Sequence, residues 1–346
     1  QNRLDARQRE TDRPFTEAGV GAGRYLREIE YAILTADSQP ERWSDALSAL
    51  EQILRQVLVH GFTDQEVERV RKDLLSGLEE SLKTAHNHES KDLARRLLRH
   101  LGMDRVMQDP QQEYDLYAPV VKAAQATQLH KVFSDLWDTD HRLLMVTGNV
   151  DLQHQDLSSL EMIKARYLAS LETDVAPPDS AVALSFPYEP PPAIAGTIRS
   201  REKIVDLSVE QVVFTNGVRL NLKATRFAAS ELSAKLVFGR GRRDLPVEDP
   251  GLGHLTEVVL YESGLGPLNR TQLETALAGK STRLAFDINE SNFSLGGQSV
   301  TTELELLFQL LRANLVDPGF RPEARQLAME RFRQEYRSYL TSVDSA

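Results

Sequence analysis

Residues 172–206 hold six prolines, Pro177, Pro178, Pro187, Pro190, Pro191 and Pro192, followed by Gly196, close to the middle of the chain. Each proline fixes φ and removes a backbone donor, so neither a continuous helix nor a central strand can run through this stretch, and extended chain is expected. The break divides the sequence into residues 1–171 and 207–346, joined by a proline-rich interdomain linker. At 346 residues and 41% hydrophobic side chains there is enough apolar material for two cores, in line with about 150 residues per domain. A free polyproline recognition peptide is the other reading, but such peptides stand clear of the fold and do not bridge two cores.

Charge narrows the partners. Fifty-one acidic residues against 41 basic ones give a net charge of -10, and no long Lys/Arg block occurs, which argues against nucleic acid or an anionic membrane surface. The absence of cysteine excludes disulfides, thiolate metal ligands and cysteine nucleophiles. No apolar run approaches the ~20 residues of a membrane helix, so a soluble chain is expected. The sequence starts at Gln1 without a signal-like segment and stops just after a helical pattern, as a fragment of a longer protein would.

In the first half, residues 28–34 alternate Ile29, Tyr31 and Ile33 with polar residues, the period of a half-buried strand. Trp43, Ala46, Leu47, Leu50, Ile53, Leu54, Val57 and Leu58 then recur at helical intervals up to Gly61. Thr63 with Glu66 three residues on predicts a capping box, opening a helix with an apolar stripe of Val67, Val70, Leu74, Leu78 and Leu82. These two helices are expected to pack together. Leu93, Leu97 and Leu98 signal another helix. Thr127 is expected to cap one carrying Leu129, Val132, Phe133, Leu136 and Trp137, and 143–146 reads as a short apolar strand.

In the second half, Asn216-Gly217 between Val212–Phe214 and Val218, Leu220 and Leu222 predicts a hairpin. Leu232, Ala234, Leu236 and Phe238 form a third strand, helices follow near Leu252 and over 271–277, and Leu284, Phe286 and Ile288 resume the strand period. Two helices close the chain, one buried through Leu304, Leu307, Phe308, Leu311 and Leu315, the other from Pro322 through Leu327, Phe332 and Tyr336. Strands and helix pairs are segregated, so the fold class is α+β, each domain a mostly antiparallel sheet with packed helices.

The sharpest candidate for chemistry is Gly253-His254-Leu255-Thr256-Glu257-Val258 at a helix start, where His254 and Glu257 share one face. An H-x-x-E-H helix offers zinc two imidazoles four residues apart, with the glutamate between them activating the bound water. Here Val258 stands at the second imidazole's position and has no lone pair. Read locally, His254 and Glu257 are ordinary helix residues. His86 and His88, two apart, cannot align on a helix and read as cap residues. Arg240, Arg242 and Arg243 among Gly239 and Gly241 lack the G-x-x-x-x-G-K-[ST] order of a phosphate loop. No G-x-S-x-G elbow occurs.

Taken in order, these segments resemble the insulinase/pitrilysin family of zinc peptidases, whose chains repeat α+β domains, four to a clamshell. His60-Gly61-Phe62-Thr63-Asp64-Gln65-Glu66-Val67 and its charged helix resemble the second domain. Phe214 to Leu222 resembles the strand pair opening the third, and Gly251 to Glu257 lies where the family places its H-x-x-E-H helix. The resemblance implies that His254 matches the first zinc histidine, Glu257 the catalytic glutamate, and Glu335, 77 positions after Val258, the third ligand from a later helix. Arg7 resembles the arginine of the family's substrate-binding Arg/Tyr pair, with Phe15 in place of the tyrosine.

On that resemblance the chain is the second and third domains of a zinc peptidase. No catalytic site is intact within it, His254, Glu257 and Glu335 are vestigial, and Arg7 is the candidate substrate contact. No metal is expected in this segment, and the zinc lies outside it in the full-length protein. Its role is to wall a chamber that closes around a peptide or unfolded polypeptide, held by strand addition at a sheet edge. The remaining domains of the same chain are its other partners, a homo-oligomer is open, and the periplasm is the implied compartment, with the cytoplasm as alternative. The rival reading is an inactive homologue acting as partner subunit or peptide-binding module. A third has zinc bound here by His254, Glu335 and an unusual third ligand.

Overall fold

The computed structural model describes residues 1–25, 29–87, 89–138, 141–150, 158–178, 185–188, 195–226, 228 and 230–341. The first half opens with α1 (Asn2–Gln8) and the antiparallel pair β1 (Glu17–Tyr25) and β2 (Ile29–Asp37). A helical layer follows: α2 (Trp43–His60), α3 (Asp64–Lys83), α4 (Ser90–Gly102), α5 (Pro110–Ala123), α6 (Ala126–Trp137) and α7 (Ser159–Leu171). Its core joins Leu4, Phe15, Ala18, Ala46 and Ala49, so α1, the hairpin and α2 share one apolar seam.

The second half begins with a three-stranded antiparallel sheet of β3 (Ile198–Ile204), β4 (Val209–Phe214) and β5 (Arg219–Leu222), with β4 central. A second sheet follows from β6 (Glu231–Phe238), interrupted by α8 (Leu252–Ser263) and α9 (Arg270–Ala276), then β7 (Arg283–Ile288) and β8 (Phe293–Val300), in spatial order β6-β8-β7. Helices α10 (Leu304–Val316) and α11 (Pro322–Thr341) close it. Leu307, fully buried, sits with Leu295 and Leu311 between α10 and this sheet, while Leu265, Leu268, Leu273, Leu310 and Ala313 form a neighbouring cluster. Mixed helices and antiparallel sheets make the fold α+β.

Local chemistry explains the elements that the sequence announced. Thr63 Oγ1 accepts from the Glu66 N–H at 3.2 Å while Glu66 accepts from the Thr63 N–H at 2.8 Å, the reciprocal capping box that opens α3. In the β4–β5 turn Gly217 takes φ +88°, a conformation open to glycine, and Asn216 Oδ1 accepts from the Val218 N–H at 3.1 Å.

Several expectations need correction. Residues 143–146 form no strand: Leu143 and Met145 are 88% and 76% exposed and have no ladder partner among the described residues. Helices α2 and α3 do not chiefly pack on each other. Helix α2 lies along α7, where Ser170 Oγ donates to buried Glu51 at 2.5 Å, and α3 lies along α5, whose end is held by Arg71. The α3 stripe is correspondingly open, with Val70 and Leu74 exposed. Leu304, Phe308 and Leu315 also face solvent, because α10 presents Leu307, Leu310 and Leu311 inward, and Tyr336 of α11 is exposed as well. The cap of α6 is Gln125 in place of Thr127. Within 172–206, residues 198–204 form β3, held by its ladder to β4 and not by burial. Of the paired histidines, His86 sits in a short 3-10 turn and His88 lies outside the described residues.

The halves meet along α11. Arg331 donates to the Thr16 carbonyl at 3.0 Å, Thr16 Oγ1 donates to Gln334 Oε1 at 2.6 Å, and Arg13 donates to the Glu323 carbonyl at 3.0 Å. Helix α11 also packs along α8, which sets the geometry of the candidate site.

Candidate functional site

Glycines frame α8. Gly251, at φ +96°, is its N-cap and lies so near Phe332 of α11 that a Cβ there would meet the ring at 3.2 Å; Gly264, at φ +67°, ends it. This close approach brings one face of α8 against α11. His254 and Glu257 are one turn apart on α8, and Glu335 comes from α11. The His254 Nδ1 lies 3.9 Å from Glu257 Oε2 and its Nε2 4.0 Å from Glu335 Oε2, so the three residues singled out in the sequence meet in space.

These distances exceed hydrogen-bond reach. The His254 ring is 55% exposed, Glu335 53% and Glu257 31%, so a solvated cluster results. Glu257 has a structural employment: its Oε1 accepts the Ile288 N–H at 2.6 Å, tying α8 to the end of edge strand β7. Glu335 accepts from the Tyr339 hydroxyl at 3.2 Å, and the His254 ring lies 6.0 Å from that of Phe332.

The donor set does not fit a catalytic zinc. Such a site takes three protein ligands and an open fourth position. Here one imidazole is present, the Val258 side chain carries only hydrocarbon, and one oxygen of the intervening glutamate is engaged by a backbone donor. Among the described residues no group of three or more His, Asp or Glu side chains is disposed to hold a metal ion.

Arg7 and Phe15 part company. Phe15 is 1% exposed in the first core, whereas Arg7 pairs with Glu10 at the surface, at the rim of a cavity of about 430 Å³ that Arg166 and Asp174 also line. Two α2 side chains tether the chain where it leaves the first half along this cavity: Gln56 Nε2 donates to the Ala176 carbonyl at 2.9 Å, and the His60 ring lies 2.8 Å from the Val175 carbonyl. In the Arg240–Arg243 loop, Arg240 pairs with Asp244 and Arg242 with Glu290 at 2.9 Å.

Sequence reasoning missed a network two turns along α8 from His254. Glu262, with 3% of its side chain exposed, receives Arg331 at 2.7 Å and Arg9 at 3.3 Å. Arg9 continues to Glu274 of α9 at 3.2 Å, where Arg270 and Arg69 also arrive. Burial pushes the Glu274 carboxyl up, but Arg9 and Arg270 outweigh it and hold it below its ordinary value. Arg9 in turn is raised, its own burial being overcome by Glu274 and Glu262. The partners are 253 and 265 residues apart in sequence, so no local spacing signals them.

No family model and no curated protein matches the chain. Solved structures do. The ferredoxin protease FusC, solved in complex with an Arabidopsis ferredoxin, superposes over 99% of this chain with a TM-score of 0.57 at 17% identity. The periplasmic protease PqqL from Escherichia coli covers 97% at TM-score 0.43 and 17% identity, and pitrilysin covers 99% at 0.45 and 13%. The chain spans 38%, 37% and 37% of those proteins' own lengths. The fold shared with FusC is the α+β arrangement of both halves in order.

Proposed function

We propose that this chain is the second and third domains, 1–171 and 207–346 about the 172–206 linker, of an insulinase/pitrilysin-type zinc peptidase, and that it contributes chamber wall and not the catalytic centre. The fold shared with FusC along nearly the whole chain, over little more than a third of that protein, supports the piece-of-a-peptidase part. The observation that carries the non-catalytic part is the α8–α11 cluster. His254 lies near both Glu257 and Glu335, yet Val258 supplies no lone pair and Glu257 is tied to Ile288.

The zinc then belongs to another part of the full-length protein, where it would act as Lewis acid and water activator. The ligand class is a peptide or unfolded polypeptide, in keeping with neighbours that are proteases. Free strand edges support a main-chain mode of holding it: among the described residues only β4 and β8 have strand partners on both sides. No helix among the described residues is long and apolar enough to cross a membrane, and the periplasm is the compartment implied by the resemblance.

The test is an assay of the purified chain on an unstructured peptide with and without added zinc. No cleavage above background is expected. Zinc-dependent cleavage abolished by Glu257→Gln would show that the centre is here after all. Val258 also favours a second reading, in which the whole protein has lost its zinc and serves as partner subunit or peptide-binding module. Sequencing upstream of Gln1 separates the two: an intact H-x-x-E-H supports the peptidase, and a second degenerate copy supports the binding module.

A further inference from the structure

The second half repeats the element order of the first. Helix α1, the β1–β2 hairpin, a 3-10 turn over Pro40–Arg42, α2 and α3 succeed one another as do α9, the β7–β8 hairpin, a 3-10 turn over Thr301–Glu303, α10 and α11. Helices α1 and α9 are both 7 residues long, α3 and α11 both 20, and both hairpins are antiparallel. Ahead of this shared run the second half has two more elements, β6 and α8, which have no counterpart before α1 among the described residues. There β6 pairs along the outer edge of β8, and α8 lies along α11.

The surfaces that β6 and α8 cover in the second half are bare in the first, where β2 holds the place of β8. The Gln1 side chain accepts from the Val20 N–H at 3.2 Å and donates to the Ala18 carbonyl at 3.0 Å, so Ala18 and Val20 turn their backbone groups away from β2. Residues paired in an antiparallel ladder share that sense. Ala36, Leu34, Ala32 and Glu30, opposite Ala18, Val20, Ala22 and Arg24, therefore turn their N–H and C=O groups to the free edge of β2. None of these backbone groups is hydrogen-bonded among the described residues. Strand β2 runs 9 residues in unbroken register and carries no proline, lysine or bulge, the devices that blunt an exposed edge. A two-stranded ribbon is also marginal alone. On α3 the eleventh residue is Leu74, as Phe332 is on α11. Phe332 lies against Gly251 and 6.0 Å from the His254 ring of α8, whereas Leu74 is exposed.

We infer that the β2 edge and the Leu74 face of α3 form a docking surface for a strand and a helix of the same protein, the counterparts of β6 and α8, which lie outside residues 1–346 and, by the order of the repeat, ahead of α1. The fold shared with FusC occupies 38% of that protein's length, so proteins of this fold carry further chain that can supply such a unit. Docking gives the first half a three-stranded sheet in the spatial order of β6-β8-β7, pairs the open backbone groups of β2 and covers Leu74. The strand that fits resembles β6, where Leu232, Ala234 and Leu236 alternate with polar residues. It takes β2 out of the edges open to a peptide substrate. The inference rests on reading the chain as a piece of a longer protein, and not on where the zinc lies: a segment ahead of Gln1 without H-x-x-E-H would fell the peptidase reading and leave this sheet intact.

The experiment compares the chain 1–346 with the longer chain that includes the residues encoded ahead of Gln1, by hydrogen–deuterium exchange. The amides of Ala32, Leu34 and Ala36 should exchange freely in 1–346 and about a hundredfold more slowly in the longer chain. Leu74→Lys should leave the urea midpoint of 1–346 within about 0.2 M of wild type and lower that of the longer chain by about 0.5 M or more. Unchanged exchange at β2, or Leu74→Lys equally harmless in both chains, would overturn the inference. So would β2 amides already protected in 1–346 together with sedimentation as a dimer, which assigns the edge to a second copy. Protection in the longer chain that appears only on adding an unstructured peptide would assign the edge to substrate and overturn it as well.

Discussion

Replacing Glu262 by alanine is the sharpest test of what holds α8 and α11 to the first half. Its carboxylate is 3% exposed and receives Arg331 at 2.7 Å and Arg9 at 3.3 Å, so removal takes the shared carboxylate from two guanidiniums. Breaking a buried ion pair by deleting one partner destabilises by about 3–5 kcal/mol, chiefly because the remaining charge is left uncompensated. Two features move this case to the low end of that range. Arg9 keeps Glu274 at 3.2 Å, and Arg331, 31% exposed, keeps the Thr16 carbonyl and reaches water. A loss of about 3 kcal/mol is therefore expected. In urea, where m is ~1–3 kcal/mol/M and grows with size, this lowers the midpoint by about 1 M or more. The double variant Glu262→Ala/Arg331→Met should regain part of the loss, because one orphaned cation has gone. A single-variant midpoint within about 0.2 M of wild type would refute the role given to this network.

Other expectations follow from the same structure. Leu307→Ala empties the centre of the cluster between α10 and the β6-β8-β7 sheet, where the side chain is 0% exposed, and should cost about 2–5 kcal/mol in chemical denaturation. Gly241→Ala places a Cβ 2.1 Å from the Asn289 carbonyl oxygen at φ +63°, so the loop must move; a loss of about 1–3 kcal/mol is expected, and an unchanged thermal midpoint would contradict the described turn. Acid should loosen the fold through Glu66 and Glu274. Burial raises both, but Arg3 with Thr63 outweighs it at Glu66, and Arg9 with Arg270 does so at Glu274, so both end below the ordinary 4.5. A depressed folded-state value gives stability that is present above the unfolded value and lost as pH falls through the folded one. Urea midpoints should thus hold from neutrality down to about pH 4.5 and drop below it, and Glu274→Gln should flatten part of that drop.

Legibility in the sequence followed the range of the forces involved. Helix α3 and the β4–β5 hairpin were readable because Thr63 and Glu66, or Asn216 and Gly217, act within a few residues of each other. Helices α5 and α7 carried the same kind of signal, Asp109 with Gln112 and Ser158 with Glu161, and were open to the same reasoning. Strand β1 was not legible by apolar period: Gly19, Gly21 and Gly23 occupy one face and draw their neighbours, Thr35, Ile33 and Tyr31, from the partner strand. Strand β8 lies between two others and hides its alternation behind Ser294 and Gly297, which are packed and not solvated. The run at 143–146 misled because apolar residues in sequence do not guarantee a strand to pair with. The meeting of His254 with Glu335 rests on family resemblance and not on spacing, since 81 residues separate them (335 − 254). Ion pairs such as Arg9–Glu262 join the two halves of the chain and leave no trace in any local pattern.

The central claim, that the α8–α11 cluster is not a zinc centre, is tested most directly by elemental analysis of the purified chain after exposure to zinc and removal of loose ions. With one imidazole, two solvated carboxylates and a valine, bound zinc should fall far below one ion per chain. One zinc per chain, lost on His254→Ala, would contradict the account.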